Sequence, residues 1–253
     1  MSLISSRARL CLLLLLVGWS SPLHAGDLRG WFIDVGQGDA ALFVSPSGKS
    51  LLIDAGPRGS DDEIREALTE AGVTRLDWVV LTHAHADHIG GLEDLLDAVP
   101  VSRVIDSGFV HPTRTYRSLL EALEAKHVPI ETGRRGQSVD LGDGVSLELL
   151  GPRDPMFQGT RSDPNANSII ARLVHGGVSI LLTGDAESPT EARLLGDDSP
   201  LRSTILKVAH HGSNHATSLA FLDASQPRIG VVSCGLDNKY GHPAKGLLER
   251  LSA

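Results

Sequence analysis

Thr82-His83-Ala84-His85-Ala86-Asp87-His88-Ile89-Gly90-Gly91 is the stretch on which the reading of this 253-residue chain turns. An apolar run over 76–81 leads into it, and an amphipathic one over 92–99 follows. Within six residues, His83, His85, Asp87 and His88 offer three imidazoles and a carboxylate. That donor set suits Zn²⁺, Mn²⁺ or Fe²⁺ better than Ca²⁺ or Mg²⁺. One ion could gather all four from so short a segment only with strain. Two ions fit the spacing better, one on His83 and His85 and the other on Asp87 and His88.

The same feature recurs along the chain. Asp54, Asp185 and His210 each lie just beyond an apolar run, as His83 does. Strand ends along one edge of a sheet converge, and α/β proteins commonly place their sites there. Towards the N-terminus, strands are predicted over 28–35, 40–44 and 51–56, with Ser45-Pro46-Ser47-Gly48 as a turn, giving an antiparallel meander. A helix follows over 63–71, with Asp61-Asp62 favouring its start. Beyond the histidine stretch, strands and helices alternate. Strand 101–105 and helix 116–126 come first, then a hairpin over 139–150 and a loop without periodicity over 152–164. A second hairpin turns at His175-Gly176-Gly177 between 168–174 and 178–182. Helix 190–195, strand 205–209, helix 219–224, strand 229–233 and helix 244–251 close the chain. The alternation is that of a layered α/β domain. The chain shows no internal repeat and no linker long enough to divide it.

Residues 1–25 stand apart. Arg7 and Arg9 precede an apolar, leucine-rich block over 10–19, and a short small-to-polar stretch ends at Ala25. This is the order of a secretory signal peptide, so residues 1–25 read as a leader and 26–253 as one domain. The block is too short to span a bilayer comfortably, and no integral membrane segment is expected after cleavage. The domain is therefore expected in the periplasm or outside the cell. The whole chain carries a formal charge of −8. The leader holds two of its 23 basic residues and none of its 31 acidic ones, so the domain alone stands at −10. That balance argues against broad electrostatic attachment to nucleic acid, though not against a local basic groove. Cys234 is the domain's single cysteine, which excludes an internal disulfide and leaves stability to the core and to bound metal.

The chain resembles the metallo-β-lactamase fold superfamily, and within it the hydrolase domain of the ComEC group of DNA-uptake proteins. The resemblance is carried by Phe32-Ile33-Asp34-Val35-Gly36-Gln37-Gly38-Asp39-Ala40, Leu52-Ile53-Asp54-Ala55-Gly56, the histidine stretch, Leu182-Thr183-Gly184-Asp185-Ala186-Glu187, Leu206-Lys207-Val208-Ala209-His210-His211-Gly212-Ser213 and Tyr240-Gly241-His242-Pro243. It implies a four-layer αββα sandwich with two divalent metal ions at one edge of the sheets, zinc first and manganese second. It implies His83 and His85 at the first metal, Asp87 and His88 at the second, and Asp185 bridging both. His210 matches the late histidine of the second metal and is preferred to His211 because it comes directly off a strand. Asp54 matches a carboxylate that orients the ligand loop. Many members supply a further histidine to the first metal; here the corresponding stretch is Asn165-Ala166-Asn167-Ser168, where Asn167 offers a weak oxygen ligand.

Two metals about 3.5–4 Å apart can share a water, lower its pKa and turn it on a phosphorus or carbonyl centre. In this reading Asp87 and His242 are the catalytic residues, Asp87 orienting the nucleophile and His242 contacting a phosphate oxygen or assisting the leaving group. Lys207, Asn214 and His215 are candidate substrate contacts; His24, His111, His127 and His175 are incidental. The expected activity is that of a secreted metal-dependent phosphodiesterase or nuclease. Hydrolysis of another ester or a lactone is the alternative, and a non-catalytic module assisting DNA uptake is the reading from another class. The sequence leaves the oligomeric state open.

Overall fold

A computed structural model describes residues 26–252; the expected leader over 1–25, His24 included, lies outside them. Two six-stranded sheets pack face to face, with helices on both outer faces. The first sheet runs in the order β1 (Arg29–Phe32), β2 (Ala41–Val44), β3 (Ser50–Ile53), β4 (Trp78–Leu81), β5 (Val104–Asp106) and β6 (Ile130–Thr132). Its first three strands are the expected antiparallel meander, and from β3 to β6 the pairing is parallel. The second sheet holds β7 (Ser138–Asp140), β8 (Val145–Gly151), β9 (Ile170–His175), β10 (Val178–Leu182), β11 (Ile205–Lys207) and β12 (Ile229–Val231). It is antiparallel from β7 to β10 and parallel from β10 to β12.

The four layers follow from side-chain parity. Successive strand residues point to opposite faces, and a strand covered on both faces reads as a continuous apolar run. In the first sheet, Leu42, Val44, Leu52, Val79 and Leu81 face outward onto Ile64 and Leu68 of α1 (Asp61–Ala71), Leu92 and Leu95 of α3 (Leu92–Ala98), and Leu119 and Leu123 of α4 (Arg114–Ala125). Their neighbours Phe43, Leu51, Ile53, Val80 and Ile105 face inward and meet Leu147, Leu149, Leu173, Ile180 and Leu182 of the second sheet. On the far side, Ile170, Leu181 and Leu206 pack against Leu194 of α6 (Ser188–Gly196) and Phe221 of α7 (Leu219–Ser225). The expected αββα sandwich is the observed architecture.

The helices are built as their sequences suggest. In α1 the buried residues Ile64, Ala67, Leu68 and Ala71 make one stripe, three acids occupy the first turn, and Gly72 closes it in the left-handed conformation. Several elements differ from expectation. Strand 101–105 shrinks to β5, leaving Val101 only an isolated bridge to Leu76. The edge strand β6 is wholly exposed and carries no apolar pattern, so it is defined only by its pairing with β5. The loop over 152–164 ends in a one-turn helix, α5 (Asp163–Ala166).

The crossovers place the chemistry. The ends of β3, β4 and β5 lie on one edge of the first sheet, and those of β10 and β11 on one edge of the second. The two edges are tied together where Ile169 N donates to Thr82 O (2.8 Å). Another short helix, α2 (Ala86–Ile89), carries Asp87 and His88 there, and α8 (Lys245–Leu251) closes the described chain. No helix among the described residues is long and apolar enough to cross a membrane.

Candidate metal centre

Each inner histidine has its Nδ1 pinned, which turns its Nε2 towards Asp185. Thr82 N and Thr82 Oγ1 both donate to the Asp54 carboxylate, at 2.7 Å each. Because the Thr82 hydroxyl proton is committed there, its oxygen accepts from His83 Nδ1 (3.1 Å), leaving His83 Nε2 bare. His88 Nδ1 donates to Asp54 Oδ2 (2.8 Å), which frees His88 Nε2. His211 Nδ1 donates to Ser233 O (3.1 Å), which frees His211 Nε2. Pinning the far nitrogen is how proteins prepare imidazole as a ligand.

These Nε2 atoms converge on Asp185, itself buried at the end of β10. Asp185 Oδ1 lies 3.2 Å from His88 Nε2 and 3.7 Å from His211 Nε2, while Oδ2 lies 3.7 Å from His83 Nε2. His85 Nδ1 stands 3.0 Å from His83 Nε2. Two donor groups result: His83, His85 and Asp185, and Asp39, His88, Asp185 and His211, the atoms of each within 4.8 Å of one another. His88 Nε2, His211 Nε2 and Asp185 Oδ1 are all buried without a hydrogen-bond partner. Leaving three such atoms unmet from three elements is costly, and a divalent cation satisfies them together. The residues present fit the metal.

The electrostatics agree. Burial pushes the Asp185 carboxyl up, but the His88 and His211 rings outweigh it and hold it well below the usual carboxylate range. For Asp87 burial is again opposed, here by the nearby His211 and His88 rings, which hold the carboxyl down at about 2. Burial lowers His83, whereas Asp185 and Asp54 outweigh burial at His88 and raise it well above 6.5.

The two late histidines are placed differently, although His210 Nε2 also lies 3.7 Å from Asp185 Oδ2. His211 is 2% exposed and belongs to the donor group, whereas the His210 side chain is 19% exposed at the rim. The strand ends at Lys207, two residues earlier than expected. His210, His211 and Gly212 then all take positive φ (50°, 53° and 85°), a left-handed turn that swings the second histidine inward. Gly212 is required there for a second reason: a Cβ would come within 2.8 Å of Pro243, on which the turn packs. His210 instead sets Nδ1 3.0 Å from Glu187, whose carboxylate accepts from Arg161 Nε (3.2 Å).

Other expected residues fall out as follows. Asp87 Oδ2 lies 3.3 Å from His211 Nε2, with its side chain 34% exposed beside the second group. His242 joins the cleft, its ring stacked with His211 at 6.4 Å and with Tyr240 at 5.6 Å. Asn238 holds this loop, Oδ1 accepting from His242 N (2.9 Å) and Nδ2 donating to His242 O (2.6 Å). Asn167 is not a ligand: its Oδ1 accepts from Phe157 N and its Nδ2 donates to Phe157 O and Asp163 O, each at 2.9 Å. Lys207 is not a substrate contact, being buried with Nζ 2.9 Å from Asp39 Oδ1. Asn214 accepts from Arg250 of α8, and His215 is exposed outside the cleft.

Five residues of the cleft, a space of about 380 Å³, received no role from the sequence: Gln37, His111, Thr113, Asn165 and Tyr240. His111 sits 5.4 Å from the His85 ring and is not incidental. It follows β5, whose end shares the edge of β4, so strand order would have found it where spacing did not. Asp39 belongs to a quoted motif but received no role. It reaches His211 because Gly38 lets the backbone press on the ligand loop: a Cβ at Gly38 would collide with Asp87 O, and Asp39 N donates to that carbonyl (3.1 Å).

Fold and centre together place a candidate metal site at the edge of an αββα sandwich. The chain belongs to the metallo-beta-lactamase superfamily, whose family model matches residues 33–236, and to its ComEC-like branch. It is 33% identical to ComE operon protein 3 of Bacillus subtilis over 237 residues, covering 87% of this chain and 30% of that protein. Competence protein ComA of Neisseria gonorrhoeae is 33% identical over 249 residues, covering 95% and 32%. Recombination protein 2 of Haemophilus influenzae is 32% identical over 227 residues, covering 87% and 26%. The chain thus spans about a third or less of each of these relatives. The crystal structure of the metallo-beta-lactamase fold protein YhfI from Bacillus subtilis shares the fold, with a TM-score of 0.56 and 14% identity over 88% of this chain and 92% of that one.

Proposed function

We propose that this chain is a metal-dependent phosphodiesterase acting on nucleic acid, exported from the cytoplasm and using two divalent ions, zinc first and manganese second. The observation that carries the reading is Asp185, one buried carboxylate whose two oxygens face separate histidine groups. His83 and His85 would hold one ion, Asp39, His88 and His211 the other, and Asp185 both, with Asp87 beside the second. Such ions supply Lewis acidity towards a phosphoryl oxygen. Asp87, ionised at neutral pH, accepts a hydrogen bond from the attacking water and aims it. Burial, reinforced by His210 and His211, lowers His242, so its imidazole is neutral at pH 7 and serves as an N–H donor to a phosphate oxygen rather than as an acid for the leaving group.

Nucleic acid is favoured by two features. Tyr240 is 57% exposed at the cleft, with Lys239 Nζ 5.2 Å from its ring, and offers a stacking face beside a cation. The relatives are named for competence and recombination. The acidic charge of the chain points to single strands or short pieces rather than long duplex. Export rests on the leader composition alone, and fractionation with N-terminal sequencing tests it: periplasmic protein starting at Gly26 supports export, and a chain starting at Met1 confined to the cytoplasm opposes it.

The test is hydrolysis of bis(p-nitrophenyl) phosphate by chelated protein given back Zn²⁺ or Mn²⁺, alongside Asp87→Ala and His83→Ala. Metal-dependent turnover, lost in both variants, is expected. Folded, metal-loaded protein without turnover would turn the reading to lactones and other esters, and then to a non-catalytic module.

A further inference from the structure

The two donor groups are unequal. Asp39, His88, Asp185 and His211 make four in one, whereas the other has only His83, His85 and Asp185. A buried amide lines the cleft that holds His85 and Asp185 of the poorer group. Asn165 lies on α5, is 3% exposed, and lines the same cleft as His85 and Asp185. Its Oδ1 is buried with no hydrogen-bond partner.

The turn that carries Asn165 is braced by its neighbours. Asp163 accepts from Gly159 N and Thr160 N at the start of the turn. Asn165 O accepts from Ser168 N (3.1 Å), and Ala166 O accepts from Thr190 Oγ1 (2.7 Å). The neighbouring Asn167 spends its whole amide bracing Phe157 and Asp163. Two asparagines two residues apart thus divide the work. One closes the loop, and the other keeps a free oxygen at the cleft.

We infer that Asn165 donates its amide oxygen to the divalent cation held by His83, His85 and Asp185. This rests on the metal-centre reading above. A neutral amide oxygen is a weaker ligand than imidazole for a borderline cation such as zinc. The ion on this group is therefore the looser of the two, and its affinity is set by residue 165.

Zinc titration of the chelated full chain against a chromophoric chelator tests this, with zinc content after desalting as a second readout. The wild type is expected to show one tight and one weaker class of site. Asn165→Ala should weaken the weaker class at least tenfold and leave the tight class unchanged. Asn165→His, which puts imidazole in place of the amide, should tighten the weaker class beyond wild type, a gain that a merely structural role would not give. Both variants are compared only with a far-UV spectrum matching wild type. Two zinc sites of unchanged affinity in folded Asn165→Ala would overturn the assignment and leave the metal centre standing. So would unchanged zinc binding with a raised KM, which would make Asn165 a substrate contact. A wild type that binds no zinc would overturn the metal centre and this inference with it.

Discussion

Asp54 Oδ2 lies 2.8 Å from His88 Nδ1, both side chains fully buried, and the same oxygen accepts the Thr82 hydroxyl at 2.7 Å. One carboxylate therefore sets the direction of two histidines, His88 directly and His83 through Thr82. Neither imidazole could present Nε2 to Asp185 in a fixed tautomer without it. Asp54→Ala is expected to lower zinc affinity by about 10- to 100-fold, the usual effect of removing the partner behind a metal-binding histidine. Asp54→Asn keeps one acceptor and should fall between. Competitive zinc titration measures both; affinity unchanged in Asp54→Ala would remove Asp54 from this role.

The left-handed turn at His210-His211-Gly212 separates two adjacent histidines by function. His211→Ala should lose about one zinc per chain, because its Nε2 is one of the unpartnered atoms facing Asp185. His210→Ala should keep both ions and lower kcat/KM for a phosphate diester by about tenfold, about 1.4 kcal/mol of transition-state binding. Zinc content and steady-state kinetics on both variants decide it. The opposite pattern would restore His210 as the ligand.

What the sequence hid has the same physical cause in several places. The strands were legible because runs such as Leu51-Leu52-Ile53 and Trp78-Val79-Val80-Leu81 are buried on both faces, and the donors beyond them were legible as abrupt changes of chemistry. Strand periodicity stops at Lys207, however, so it could not say which histidine turns inward; two positive φ values decide that. Asn165 and Asn167 are chemically identical, and only the hydrogen bonds to Phe157 tell them apart. His111 and Tyr240 reach the cleft from loops whose positions depend on neighbouring elements far away in sequence. The β6 strand had no pattern to read, because its three residues are all exposed.

Glu187 couples the rim of the cleft to acid stability. Burial alone would raise its carboxyl; His210 and Arg161 outweigh burial and hold it at about 2, against an ordinary 4.5. A carboxyl depressed on folding stabilises the fold above its unfolded value and loses that contribution as pH falls through its folded one. The contribution is thus full above pH 4.5 and gone near pH 2. In chelated protein, Glu187→Gln should cost about 1–3 kcal/mol at pH 7 and progressively less below pH 4.5. Urea unfolding at pH 7 and pH 3 measures it. An equal loss at both would mean that the charge on Glu187 does not matter.

Tyr240 and His242 stack with planes 23° apart, and His242 in turn stacks with His211. The tyrosine is thus the most exposed ring of a short aromatic cluster that reaches the donor groups. A base laid on it would bring its phosphate towards His242, within the same cleft as Asp185. Base stacking on an aromatic side chain contributes about 1–3 kcal/mol, or roughly 5- to 150-fold in affinity. Tyr240→Ala should therefore raise KM for a single-stranded oligonucleotide by a factor in that range. For bis(p-nitrophenyl) phosphate, which carries no nucleobase, KM should move far less, and zinc content should be unchanged, because Tyr240 is not among the donors. Tyr240→Phe keeps the ring and should behave as wild type. A loss shared equally by both substrates would make the tyrosine a prop for His242 and take away the main structural argument for nucleic acid as the substrate.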